Sequence, residues 1–235
     1  MLDELKAIGI TNPWAALQSV RNFALTVWDP TRSDIKQGVN ALVYGALRNP
    51  SPERIRKVTE TEPELVALYE SGYDPDLDLG RLERLPDGSL GREYARLMRA
   101  QGLDPLADLL ALGPPTNVLE YAFRRAYKLH DLMHVALGCD TSVLGEVRIV
   151  SFSVGQATDD DGRAAHLALA VLFLHLALRK PAEFPEAVRL AGEWLRLGAA
   201  TRLYVTLRLE DWIERPVGEV REIVLARGTG EEKGS

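Results

Sequence analysis

Two histidines and two carboxylates stand close together in this 235-residue chain: His130, Asp131 and His134, then Glu146 after eleven intervening residues. Neutral imidazole and carboxylate oxygen suit a divalent metal, zinc first, with iron, manganese or magnesium as alternatives. Two His with one or two carboxylates leave coordination positions for water or a substrate. A structural zinc site more often uses thiolates, and Cys139 is the only cysteine. Asp131 stands where the metalloprotease pattern His-Glu-x-x-His places its longer general base. The shorter reach favours Asp131 as a fourth ligand, a partner behind the ligands, or a proton-transfer group. The plain alternative is a pair of i, i+4 histidines bonded to neighbours, with Asp131 on a solvated face. An adjacent Asp and a Glu within hairpin reach favour metal.

The elements that must position these groups are legible. On a count of about 100° per residue from His130, His134 falls at about 40° and Asp131 at about 100°, within one arc of a helix. Asn117 with Glu120 offers a capping box, Val118 to Leu137 reads as unbroken helix, and Gly138 can close it in the left-handed conformation. Thr141 or Ser142 can cap a second helix that carries Glu146 in its first turns. A tight helical hairpin then swings the carboxylate back toward the imidazoles. Phe123 at about 20° and Tyr127 at about 60° share the histidine face, so they are candidate walls of a slot for a flat ring or an apolar chain, ordinary core packing being the alternative.

The metal-type residues resemble the signature of the Coq four family of coenzyme Q (ubiquinone) biosynthesis, His-Asp-x-x-His, eleven residues, then Glu. Leu144-Gly145-Glu146 matches the family's Leu-Gly-Glu. Upstream, Leu85-Pro86-Asp87-Gly88-Ser89-Leu90-Gly91-Arg92-Glu93-Tyr94 is similar to another family segment, and Trp212 to Arg221 to its closing helix. The resemblance is strongest over residues 80–225. It implies a mostly helical, zinc-binding protein at a membrane surface, with proposals from scaffold to oxidative decarboxylation of a prenylated benzoquinone precursor. Two places differ: Ser151-Phe152-Ser153 stands where ubiquinone-making members have Trp-Phe-Glu, and Phe173-Leu174-His175 where they have Phe-Gly-Pro.

Composition bounds the rest. With 46% hydrophobic residues the chain can bury one sizeable core, and a single helical domain over 1–235 is expected. Lys and Arg total 28 against 34 Asp and Glu, a net charge of −6, interleaved throughout. With no basic stripe, nucleic acid is disfavoured as a partner. A lone cysteine suits a reducing compartment, and the acidic start Met1 to Leu5 lacks a secretory signal's charge and apolar run. A cytoplasmic protein is expected, with peripheral contact at the inner membrane and a homodimer as further expectations.

Helices are also read from Pro13 to about Trp28, from Ser33 to about Leu47 and from Pro52. Ser71 to Gly91 reads as the one long irregular segment, and Gly113-Pro114-Pro115 as a break before the motif helix. Val147 to Val154 is β-branched enough for a strand, yet its place after a cap favours helix. The apolar run Ala164 to Leu178 is too short to span a bilayer and reads as a buried central helix, with Asp159 to Asp161 as its charged cap. His166 and His175 oppose each other on it and read as core or interface histidines. Thr229 to Ser235 reads as a frayed tail.

The chain is thus expected to be an all-α, multi-helix bundle with a metal site on a helical hairpin. Two readings of different class follow: a metal-dependent enzyme acting on a prenylated aromatic ring, with Asp131 catalytic, or a non-catalytic prenyl-lipid binding or scaffold protein. A phosphohydrolase using His-Asp chemistry is a weaker third, because the other histidines are poorly placed.

Overall fold

A computed structural model describes residues 21, 25, 27–28, 50–102, 113–156 and 163–226. The described chain is all-α, with two short 3-10 helices (Tyr204–Thr206 and Leu209–Trp212) and an isolated antiparallel bridge between Ser89 and Pro216. We number its helices α1 (Pro52–Thr61), α2 (Pro63–Glu70), α3 (Leu79–Leu82), α4 (Leu90–Gln101), α5 (Val118–Leu137), α6 (Val143–Gln156), α7 (Arg163–Arg179), α8 (Phe184–Ala200) and α9 (Val217–Leu225). Residues 21, 25, 27 and 28 are helical, but most of the helix expected up to Trp28 lies outside the described residues. So do Ser33 to Leu47, Asp159 to Asp161 and Thr229 to Ser235. The segment expected to be irregular from Ser71 contains α3 and ends where α4 begins.

The motif helix α5 has the expected ends, and each has a local cause. Asn117 Oδ1 accepts from the Leu119 and Glu120 amides, both at 3.0 Å, which satisfies two N–H groups that a helix start leaves open. Glu120 turns back to accept from the Thr116 amide at 2.6 Å. Gly138 ends the helix at φ 69°, and a Cβ there would also meet the Arg221 guanidinium.

Helix α6 shows tertiary packing overriding strand propensity in the Val147 to Val154 run. Val147, Val150 and Val154 pack with α7 and α8, while Ile149 and Phe152 join the larger core around α5. Such double-sided burial suits apolar side chains on both faces. The approach of α6 to α8 depends on glycine: a Cβ at Gly155 would overlap the Leu195 carbonyl, and one at Gly198 the Phe152 carbonyl. Ser151 lies fully buried on α6, and its hydroxyl has no hydrogen-bond partner. Ser151→Ala removes an unsatisfied polar atom, so it is expected to leave the urea midpoint unchanged or raised. A clear loss of stability in that variant would show that the hydroxyl has a partner after all.

The expectation for α7 needs correction. It is not a buried central helix: Leu172 and Leu176 pack against α6 and α8 and Val171 is buried, but Leu167, Leu174 and Leu178 are 43%, 40% and 66% exposed. An all-round apolar composition does not say which faces have neighbours. His175 is buried, its Nδ1 2.8 Å from the Val27 carbonyl, whereas His166 is exposed. No helix of the described residues is long and apolar enough to cross a membrane.

Two devices hold α5 in place. Backbone bonds from Leu90 to Arg215 (2.9 Å), Gly91 to Ile213 (2.8 Å) and Val217 to Gly88 (2.9 Å) clasp the start of α4 to the start of α9, both of which pack on α5. Deeper in, Arg125 of α5 is 1% exposed. Its guanidinium donates to Glu210 Oε1 (2.9 Å) and to the carbonyls of Val205 and Leu207 (2.7 Å each). Tyr73 also reaches Glu210 (3.4 Å), and Lys128 joins Asp74 (2.8 Å) and the Pro75 carbonyl. The charges are thereby hydrogen-bonded, as burial requires.

Candidate metal centre

The hairpin brings three of the four motif groups to one point. Glu146 lies 3.3 Å from His130 Nε2 and 3.6 Å from His134 Nε2, and one donor atom from each residue falls within 4.8 Å of the others. The fourth, Asp131, is placed one step back: its carboxylate is 3.2 Å from His130 Nδ1. Among the described residues this His130, His134 and Glu146 set is the one group of His, Cys, Asp and Glu donors with that convergence.

Each imidazole is turned by the partner of its other nitrogen. His134 Nδ1 lies 3.0 Å from the Asp140 carbonyl. A carbonyl can only accept, so Nδ1 carries a proton, and Nε2, where the lone pair of the neutral ring lies, faces Glu146. That Nε2 is buried and has no hydrogen-bond partner. His130 faces carboxylates on both sides, Asp131 at Nδ1 and Glu146 at Nε2. Burial alone would push His130 down, but the Glu146 charge and the Asp131 hydrogen bond outweigh it and pull the imidazole up to about 10. Burial would likewise raise Asp131, yet its bond to His130 holds it below the usual carboxylate range. In the metal-free protein His130 is therefore an imidazolium between the Asp131 and Glu146 carboxylates.

These donors fit a divalent cation. An orphaned buried Nε2, a second Nε2 and a carboxylate converge, and the Nδ1 atoms are held by a carbonyl and a carboxylate as metal-binding histidines usually are. The site also sits where the C-terminal end of α5 favours positive charge. His134 is buried, while the side chains of His130 and Asp131 are 31% and 32% exposed, so one side of the site is open. Phe123 and Tyr127, expected beside the metal, are half-buried on α5.

Outside the motif, Asp140 matters through its carbonyl, which no side-chain pattern announces. Arg125 did carry a signal, since the 100° count puts it at about 220°, between Leu132 and Ala136 on the apolar stripe. Cys139, next to the site, has a thiol that burial pushes up to about 11. Native protein at about pH 8 is expected to react with iodoacetamide on the order of 100-fold more slowly than urea-unfolded protein. Equal rates would mean that the thiol is accessible and ordinary.

The model of the family described as Coenzyme Q (ubiquinone) biosynthesis protein Coq4 matches residues 73–225. The chain belongs to the Coq4 family. The match begins at Tyr73 and so includes the segment that holds Lys128. Among relatives, the mitochondrial ubiquinone biosynthesis protein COQ4 homolog of Danio rerio is 31% identical over 150 residues, 62% of this chain and 52% of that protein. The Homo sapiens homolog is 38% identical over 80 residues, 34% of this chain and 30% of that protein. The matched parts thus span about a third to a half of the length of these Coq4 relatives. A crystal structure of a protein from Nostoc punctiforme shares the fold, with TM-score 0.68 and 22% identity over 90% of this chain and 96% of that one.

Proposed function

We propose that the protein binds one divalent metal, zinc or iron, through His130, His134 and Glu146, and acts on a prenylated aromatic ring in isoprenoid-quinone biosynthesis as a metal-dependent decarboxylase. The observation that carries the metal reading is the buried His134 Nε2, which has no hydrogen-bond partner and faces Glu146 beside a second imidazole. The substrate class comes from the family and its relatives, which are described as ubiquinone biosynthesis proteins. A bound metal would supply Lewis acidity toward a ring oxygen and, if iron, a site for dioxygen as the oxidant. The chain's own groups do the rest. His134 is fixed by Asp140, His130 by Asp131, and Asp131, ionised and partly exposed, can take a proton from a bound ring hydroxyl or return one.

The open side at His130 and Asp131 supports an enzyme over a metal that only braces the hairpin, because a bracing site fills its positions with protein. Phe123 and Tyr127 are the proposed walls for the prenyl chain. The exposed leucines of α7 support peripheral contact with a membrane, with a second copy of the chain as the other candidate to cover them.

Metal analysis of anaerobically purified protein and titration with prenylated phenols of increasing chain length test this. One metal per chain is expected, lost in His134→Ala. Affinity should climb with chain length, since each buried methylene is worth about 0.8 kcal/mol before ordering costs. Affinity indifferent to chain length removes the prenyl slot. Chain-length dependence that survives His134→Ala unchanged favours the non-catalytic lipid-binding alternative.

A further inference from the structure

In the turn that joins α5 to α6, a backbone carbonyl completes what the motif side chains leave open. Asp140 O sits 3.0 Å from His134 Nδ1 and is held there from the next turn of chain. Asp140 Oδ1 accepts from the Ser142 amide (3.1 Å) and hydroxyl (2.6 Å), and Ser142 Oγ in turn accepts from the Gly145 amide (3.2 Å). Residue 145 has no side chain, and a Cβ there would overlap both the carbonyl oxygen and the carboxylate of Asp140. Since the carbonyl belongs to the backbone, no rotamer change relieves that overlap.

We infer that Gly145 and Ser142 are positioning residues: they let the Asp140 carbonyl close on His134 Nδ1, which holds the proton on Nδ1 and turns Nε2 toward Glu146. Only the consequence for metal affinity rests on the metal reading of the site. Glycine beside the ligand Glu146 is thereby explained by an oxygen atom that needs the space. Partners behind metal-binding histidines typically change affinity by about 10–100-fold when lost.

The test reads the tautomer of His134 in metal-free protein with ¹⁵N-labelled histidine, at a pH where its ¹⁵N shifts report a neutral ring, and then titrates cobalt(II). Wild type is expected to show the Nδ1–H form. Gly145→Ala and Ser142→Ala should show Nε2–H or a mixture, and weaken cobalt binding on the order of 10–100-fold and about tenfold respectively. Asp140→Asn keeps an Oδ1 acceptor for Ser142 and should retain the wild-type tautomer. If Gly145→Ala does not fold by circular dichroism, Ser142→Ala decides alone. A wild-type tautomer in Ser142→Ala overturns the inference, as does its loss in Asp140→Asn, which would assign the effect to the carboxylate's charge. Tautomer changes as expected, in a protein that binds no cobalt even as wild type, leave the positioning role standing and remove the metal.

Discussion

Replacing Glu210 with alanine is expected to destabilise the protein by about 3–5 kcal/mol, because the Arg125 guanidinium then remains in the core with its charge uncompensated. Arg125 and Glu210 are 2% and 1% exposed at their side chains, so water cannot replace the lost partner without opening the fold. Arg125→Ala should cost a similar amount, since Lys128, 3.6 Å from Glu210 and also buried, has Asp74 as its closer carboxylate. The double change Arg125→Met with Glu210→Leu should recover most of the loss, because it removes both charges and fills the space with apolar atoms. Urea unfolding of the three variants measures this. Single variants within about 1 kcal/mol of wild type would mean that the pair is hydrated or locally mobile.

The second large effect is metal binding read against pH. Zinc at about 100 times its dissociation constant should stabilise the folded state by about 2.7 kcal/mol, roughly 5–10 °C for a chain of this size. Metal-free stability and metal affinity change in opposite directions with pH. In the metal-free protein His130 is raised from 6.5 to about 10 by its carboxylates, which outweigh its burial. A raised folded value adds stability that is complete below about pH 6.5 and is lost as pH rises through about 10. Chelated protein should therefore melt at progressively lower temperature across that window. Zinc must displace the His130 proton, so its binding should release about one proton near neutral pH and tighten as pH rises toward 10. Differential scanning calorimetry with and without chelator, and titration calorimetry in buffers of different ionisation enthalpy, read both quantities. A metal-free melting temperature that is flat over this window would show that His130 is not held as the imidazolium.

The parts of the molecule that could be read from the chain are those decided within a few residues. The limits of α5 follow from Asn117, Glu120 and Gly138, whose effects reach no farther than one helical turn, and the His130, His134 and Glu146 convergence follows from phasing plus one short turn. What could not be read depends on distant neighbours. Leu167, Leu174 and Leu178 look the same in sequence whether packed or exposed, so α7 was expected in the centre and lies on a flank. Arg125 stands out on the apolar stripe, but its partner Glu210 is 85 positions away and nothing local points to it. The placement of Asp131 behind His130 is a side-chain matter that left ligand, supporting partner and proton carrier all open at the level of spacing.

The clasp and the Arg125 network imply an order of assembly. Loop closure brings together groups that are close in the chain before those far apart. The donors on α5 and α6 lie within one hairpin, whereas Arg125 waits for Val205, Leu207 and Glu210, and Gly88 to Gly91 wait for Ile213 to Val217. During synthesis the donors are made before any of these partners, so the hairpin can gather around a cation while Arg125 is still in water. Locking the helix is then a late event that depends on the last part of the described chain, and a chain stopped just after α8 should hold His130 and His134 on a helix whose Arg125 has no partner to bury against.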